Sequence, residues 1–363
     1  MTDTSSPSNR NPASGFARRS FSEVGQPAPG FLHIPYPELK ATLEKILLAN
    51  GLPPASAHTC AEVFATNTLE GVYSHGVNRF PKFLEYLKAG HINAASQAVK
   101  KHGSGSIEQW DGQSGPGPVN AFIATDRAME LARQYGMGCV ALANTNHWMR
   151  GGTYAWRAVK AGFAYIAWSN TIANMPPWGA KDPRLGNNPI IIAVPYEDEA
   201  IVLDMALSQY SFGALEIHKQ NHKQLPLPGG YDQDNHLTTD PAAIMKSWRP
   251  LPIGYWKGSG LSLLLDILAA LLSGGLSTSQ VTAQGPEKNL SQVFIAVDLS
   301  KLHNYTSIGN TLKDIITDYT SAVPAQPGDN IRFPGQQVVT TRANNARNGI
   351  PVLKETWDRV IGG

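Results

Sequence analysis

Apolar positions along the chain change period several times, and each change predicts an element. Leu39, Leu43, Ile46 and Leu47 share one helical face, and Gly51 closes that helix. Further helices are predicted over about 56–69, 119–135 (closed by Gly136), 152–160 and 261–272. Leu312, Ile315, Ile316 and Tyr319 mark one more helical face. Short apolar or alternating runs predict strands at 139–144, 163–169, 189–194, 200–205 and 292–298. The stretch 225–241, rich in Pro, Gly and Asp, reads as a loop. The run Leu261–Leu272 is largely apolar and interrupted by Asp266; as a stretch too short for a bilayer, it reads as a buried helix. Residues 1–30 carry Ser, Pro, Asn, Gly and Arg without apolar periodicity and read as a disordered extension. No internal repeat is evident.

Helices and strands in this mixture predict an α/β protein. The expected organisation is an N-terminal helical part (31–118), an α/β part (119–330) and a C-terminal segment (331–363) that packs back on the first. The chain has 363 residues, 42 % of them hydrophobic and 16 % charged, which is enough for a sizeable core. A formal charge of +2 without a Lys/Arg block argues against nucleic acid or an anionic membrane as partner. Two cysteines, Cys60 and Cys139, lie outside any zinc-like spacing, and no apolar leader core is visible near the start. The expectation is a cytoplasmic protein with free thiols.

The chemistry concentrates in two clusters. Gly71–Pro81 sets Ser74, His75 and Arg79 close together beside Tyr73 and Asn78. A histidine can move a proton near neutral pH, and an arginine can clamp a carboxylate with two parallel bonds. The pair suits reduction of a 2-oxo acid; ordinary helix-end hydrogen bonding is the competing reading. His147 lies just beyond a predicted strand end, between Asn146 and Trp148, where α/β sheets commonly build sites. Trp148, Trp178 and Trp256 sit in Gly-rich polar loops, which suits stacking on a ligand or packing between subunits. No Gly-x-Gly-x-x-Gly follows a strand, so a dinucleotide site, if built, is not a Rossmann one. Gly258-Ser259-Gly260, beside Lys257, is the nearest phosphate-binding candidate. His218 and His222 are flanked by Lys219 and Lys223 and read as a solvated basic face; no metal site is expected.

Five segments together resemble the malate/L-lactate dehydrogenase family, which is unrelated to Rossmann dehydrogenases. They are Gly71–Pro81, Asn146–Tyr154, Met175–Lys181, Gly254–Gly260 and Arg347–Ile350, in family order from about residue 31 onward. The resemblance implies the family's own fold, a largely antiparallel mixed sheet with surrounding helices, and an intertwined homodimer. It implies NADH as cofactor and reduction of a 2-oxo sugar acid, 2,3-diketo-L-gulonate foremost. Other family activities, on malate, lactate, sulfolactate, ureidoglycolate or cyclic imino acids, stay open, as does an inactive nucleotide-binding protein. By resemblance, His75 and His147 compete for the proton-donor role, and Arg79 holds the substrate carboxylate. Ser74, Trp148 and Trp178 are the expected further substrate contacts. The family's cofactor segments fall on Ile201, Val202, Leu203, Asp204, Met205, Ala206 and Leu207, on Trp256 and Lys257, and on Gly335, Gln336 and Gln337. The chain departs from the family pattern at Asn187 and Leu207, each in place of a usual Thr, and in the last segment, which lacks the usual acidic residue. An acidic group there would hold a ribose 2′-hydroxyl and repel a 2′-phosphate, so its loss leaves NADP open.

Overall fold

The computed structural model describes residues 30–362, so the expectation for the N-terminal extension falls, except for Gly30, outside the described residues. Strand β1 (Phe31–Ile34) leads into α1 (Tyr36–Ala49), α2 (Pro54–Leu69) and α3 (Phe80–Lys88). Prolines at the first turns of all three suit positions where a backbone N–H has no intrahelical partner. Leu39, Leu43, Leu47, Phe64, Phe80 and Phe83 interlock as one buried cluster, with edge-on rings at Phe64–Phe80 (5.1 Å) and Phe64–Phe83 (5.3 Å).

A seven-stranded sheet follows. It contains β2 (Val99–Ser104), β3 (Ile107–Asp111), β4 (Met137–Thr145), β5 (Phe163–Ser169), β6 (Ile190–Tyr196), β7 (Glu199–Met205) and, arriving late in the chain, β10 (Leu290–Asp298). The spatial order is β2-β3-β4-β10-β5-β6-β7; β3–β4 is parallel and every other pair antiparallel. This is the mixed, mostly antiparallel α/β arrangement that the resemblance implies.

Alternation along the strands divides the sheet into two faces. Val140, Leu142, Tyr165, Ala167, Ile191 and Phe294 pack under α4 (Gly117–Tyr135) and α5 (Gly151–Lys160). The opposite face carries Cys139, Ala141, Trp168 and Val293, with Leu265 and Ala269 packed against it. Both cysteines are free and buried. Between β7 and β10 the chain forms α6 (Phe212–Gln220), α7 (Pro241–Ser247), α8 (Trp256–Ser273) and α9 (Thr278–Ala283). The stretch read as a loop at 225–241 holds two short paired strands, β8 (Gly230–Tyr231) and β9 (Leu237–Thr238). After β10 come α10 (Tyr305–Thr320), α11 (Gln336–Asn348), β11 (Ile350–Leu353) and α12 (Lys354–Gly362). Strand β11 pairs with β1 and ties the C-terminal segment to the first helices.

The helix expected to be buried at 261–272 is corrected by the structure. Helix α8 begins at Trp256, and Leu265 and Ala269 are its buried stripe on the sheet. Leu261, Leu263, Leu264, Ile267, Leu268 and Leu271 are exposed, Leu271 at 70 %. The run is apolar nearly all round because a second face is apolar too. At 18 residues the helix is, by length and composition, long and apolar enough to cross a membrane, contrary to the shorter run read from sequence. Its Asp266 nonetheless accepts from Asn170 Nδ2 (2.9 Å) and the Thr278 amide (2.8 Å), which fixes α8 along the sheet.

Candidate active site

The C-terminal end of α2 builds the first cluster. Thr68 Oγ donates back to the Phe64 carbonyl (2.6 Å) and accepts from the Val77 amide (2.9 Å). Asn67 Nδ2 donates to the His75 carbonyl (2.9 Å), and Thr153 Oγ donates to Asn67 Oδ1 (2.6 Å). Gly76 is required here, because a Cβ would stand 2.4 Å from Thr68 Oγ and 2.9 Å from its amide. A single 3-10 turn, Tyr73–His75, results, in which Ser74 Oγ and His75 Nδ1 share a hydrogen bond of 3.0 Å.

The second cluster follows β4. Asn146 Nδ2 donates to the carbonyls of Ser114 (2.7 Å) and Gly115 (3.1 Å), pinning the chain before His147. Met149, at a left-handed φ of 68°, closes a turn whose amide donates to His147 Nδ1 at 3.0 Å. A nitrogen that accepts a backbone N–H carries no proton, so the neutral His147 ring holds its proton on Nε2. The rings of His75 and His147 stack with centroids 5.7 Å apart and planes 19° from parallel. Two motifs more than seventy residues apart thus meet as one imidazole pair. Burial pushes His75 down to about 4; Asp204 acts upward against it, and Arg79 and Arg150 act further downward. Burial holds His147 well below its ordinary value, helped by the charges of Arg79 and His75.

Arg79 Nη2 pairs with Glu287 Oε2 at 3.2 Å. Behind the histidines lies a charge network that sequence reading did not assemble. Glu70 Oε2 accepts from Arg150 Nη1, and its Oε1 accepts from Arg342 Nε (2.9 Å) and Nη2 (2.7 Å). Arg150 Nε reaches Asp204 Oδ2 at 3.1 Å, and the Gly152 amide donates to the same oxygen at 2.9 Å. Asp204 thereby sits at the positive N-terminal end of α5. Arg150 is only 6 % exposed, so these carboxylates meet the need of a buried cation for partners. The position of Arg150 in the Asn146–Tyr154 segment was the available signal; Glu70, Arg342 and Glu287 offered none in their local sequence.

Two of the three expected cofactor segments meet. The Val202 amide on β7 donates to the Pro334 carbonyl (3.1 Å), and a Cβ on Gly335 would stand 3.1 Å from that same nitrogen. Gln336 Oε1, at the start of α11, is buried without a hydrogen-bond partner, and Gln337 Oε1 accepts from Arg332. Ile201 to Met205 run along β7 to its end and Ala206 follows it, while Leu207 is buried with Met175 and Leu185. The third segment follows the backbone bond from the Ile253 amide to the Leu207 carbonyl (2.8 Å). There Trp256 is exposed, and Tyr255 (φ 60°) packs its ring 5.0 Å from Trp178. Trp178 is therefore exposed beside α8 and joined to Ser259 Oγ through its amide (3.1 Å). Trp148 lies elsewhere: it is 2 % exposed and packs on Tyr154 and Phe294 in the core. Its place in a polar loop concealed an inward-facing ring. Asn187, one of the departures, accepts from Thr171 Oγ (3.2 Å) and Asn174 Nδ2 (3.0 Å).

Comparison with known proteins gives the chain a family. The sequence profile of the malate/L-lactate dehydrogenase family matches residues 34–361. Over 330 residues the chain is 44 % identical to the 2,3-diketo-L-gulonate reductase of Escherichia coli K12, covering 91 % of this chain and 99 % of that one. Its structure is similar to sulfolactate dehydrogenase from Methanocaldococcus jannaschii, with a TM-score of 0.82 at 27 % identity over 91 % and 95 % of the two chains. Malate dehydrogenase from Entamoeba histolytica shares the fold, with a TM-score of 0.86 at 22 % identity over 91 % and 96 %. With its fold and nearly its whole length in agreement, the chain belongs to the malate/L-lactate dehydrogenase family, whose members are oxidoreductases.

Proposed function

We propose that this protein reduces the carbonyl of a 2-oxo sugar acid, 2,3-diketo-L-gulonate to 3-dehydro-L-gulonate, with NADH. The observation that carries this reading is the His75–His147 stack beside Arg79 in a chain 44 % identical to a diketogulonate reductase over nearly its full length. Arg79 holds the substrate carboxylate, which orients the neighbouring carbonyl toward the imidazoles. His147 keeps Nδ1 for the Met149 amide and so offers a fixed Nε2–H to the carbonyl oxygen. His75 is the better proton carrier, since its Nδ1 partner is a hydroxyl that can donate or accept. Ser74 sets the His75 ring; Trp178 is retained as a contact for the sugar chain, and Trp148 supports the fold behind the site.

The residues of β7 and the start of α11 fit a dinucleotide. Gln336 Oε1 is a buried acceptor without a donor, and Gly335 leaves its backbone clear against Val202. Ile201–Leu207, Trp256, Lys257 and Gly335–Gln337 would hold the cofactor, which supplies the hydride when bound. NADPH is a second reading, favoured by one observation: Arg332 stands beside Gln337, where a cation would suit a 2′-phosphate.

The working form is a cytoplasmic homodimer, in which a second copy covers the exposed leucines of α8. Ile166 and Ile192, paired on the same sheet face and also exposed, extend that surface. Turnover by His75→Ala and His147→Ala variants tests the site. The expected result is loss of turnover in His75→Ala with cofactor binding intact; unchanged turnover in that variant would move the proton transfer to His147.

A further inference from the structure

Arg79 is not alone in its place. Glu287 lies 208 residues away in sequence, in the connection between α9 and β10, and reaches it as an ion pair. Its side chain is only 14 % exposed. Both carboxylate oxygens are engaged: Oε2 takes Arg79 Nη2 (3.2 Å) and Oε1 takes the Ile172 amide (3.3 Å), while the Glu287 backbone amide donates to the Tyr86 hydroxyl (3.2 Å). Two other parts of the fold, at Ile172 and Tyr86, therefore hold Glu287 where it faces the guanidinium. With Glu287 mostly buried and Arg79 34 % exposed, the pair is screened less than a fully exposed one.

Two consequences follow. The guanidinium has five N–H donors, and among the described residues this carboxylate takes one, so the fork is oriented but not saturated. The fixed negative charge also lowers the net positive potential that an incoming acid meets. A single substrate carboxylate can still pair with Arg79. A second acid group must enter beside a carboxylate already hydrogen-bonded in place, whereas hydroxyl groups can donate to it.

We propose that Glu287 is the specificity-determining residue of the Arg79 anion site: it admits oxo acids with one carboxylate and a hydroxylated remainder, and penalises those with two acid groups. This inference rests on the sugar-acid reading above and adds the group that enforces it. Glu287 acts through Arg79 and through charge, and takes no part in proton transfer.

The test compares kcat/KM for 2,3-diketo-L-gulonate and oxaloacetate in the wild type, Glu287→Gln and Glu287→Asp. Gln keeps an acceptor for the Ile172 amide and removes the charge; Asp keeps the charge. The expected result is that Glu287→Gln shifts the ratio toward oxaloacetate on the order of tenfold, mainly through a lower KM for the diacid. Glu287→Asp should stay near the wild-type ratio. A merely structural role would move both substrates and both variants alike, and that outcome overturns the proposal, as does an unchanged ratio in Glu287→Gln. If the wild type prefers oxaloacetate, the sugar-acid reading falls and this proposal with it. If the wild type prefers the sugar acid but the ratio ignores the charge, only this proposal falls.

Discussion

Glu70→Gln removes one negative charge from the centre of the buried network while keeping the shape of the side chain. Both carboxylate oxygens are used: one by Arg150, the other twice by Arg342, at 2.9 and 2.7 Å. The glutamine amide has one acceptor and one donor end, so one guanidinium must then face N–H groups. Where that guanidinium is Arg150, it is left with its 3.1 Å contact with Asp204 and stays buried. Removing one partner of a buried ion pair typically costs about 3–5 kcal/mol, because the surviving charge is left uncompensated. The network joins the end of α2 to α5 and α11, so the loss should fall on global stability. Urea unfolding followed by tryptophan fluorescence, at one protein concentration, measures it as a shift in midpoint multiplied by the slope. Added salt should change the difference little, since buried charges are poorly screened. A loss below about 1 kcal/mol, as for an exposed pair, would refute the reasoning.

Arg79→Lys should raise KM for the oxo acid steeply with a smaller effect on kcat, because a point charge does not replace a fork; a near-native KM in steady-state kinetics would exclude Arg79 as the carboxylate anchor. The two imidazoles, lowered in the folded chain, bind protons more readily once unfolded. The contribution of His75 to stability is therefore complete above the unfolded value of about 6.5 and is lost as pH falls toward about 4, and that of His147 is likewise lost on the acid side. In pH-dependent unfolding, a His75→Asn variant should show a shallower loss across that window, and an identical slope would contradict the assignment. If α8 carries the proposed dimer interface, Leu264→Glu with Leu271→Glu should lower the mass in light scattering from twice the chain to one, since both side chains are more than half exposed on the apolar face of α8; a wild-type mass of one chain would refute the proposed dimer, and an unchanged dimeric mass would place the interface elsewhere.

What the sequence revealed follows from the range of the forces involved. Helix α4 is legible because Ala124, Ala128, Leu131 and Ala132 repeat on one face and Gly136 ends it at φ 86°. Helix α11, Gln-Gln-Val-Val-Thr-Thr-Arg-Ala-Asn-Asn-Ala-Arg-Asn, buries only Asn345 and carries no stripe to read. Strand β2 lies at an edge with all six residues exposed, so alternation has nothing to mark. In α8 composition misled: a continuous apolar run reads as buried all round, yet only one side meets the sheet. At the site, His75, Arg79 and His147 were visible as residue types beside turns and strand ends. Their partners were not, because Glu70 lies 80 residues from Arg150 and Glu287 lies 208 from Arg79. Such pairs are made by tertiary packing, which leaves no local period.

The most direct measurement is oxidation of NADH and of NADPH by the purified wild-type protein with 2,3-diketo-L-gulonate, with the product identified. Turnover faster with NADH and formation of 3-dehydro-L-gulonate is the predicted result. Turnover with NADPH alone would keep the chemistry and reverse the cofactor assignment toward Arg332. Absence of turnover with both, in a protein that reduces another oxo or imino acid, would contradict the account.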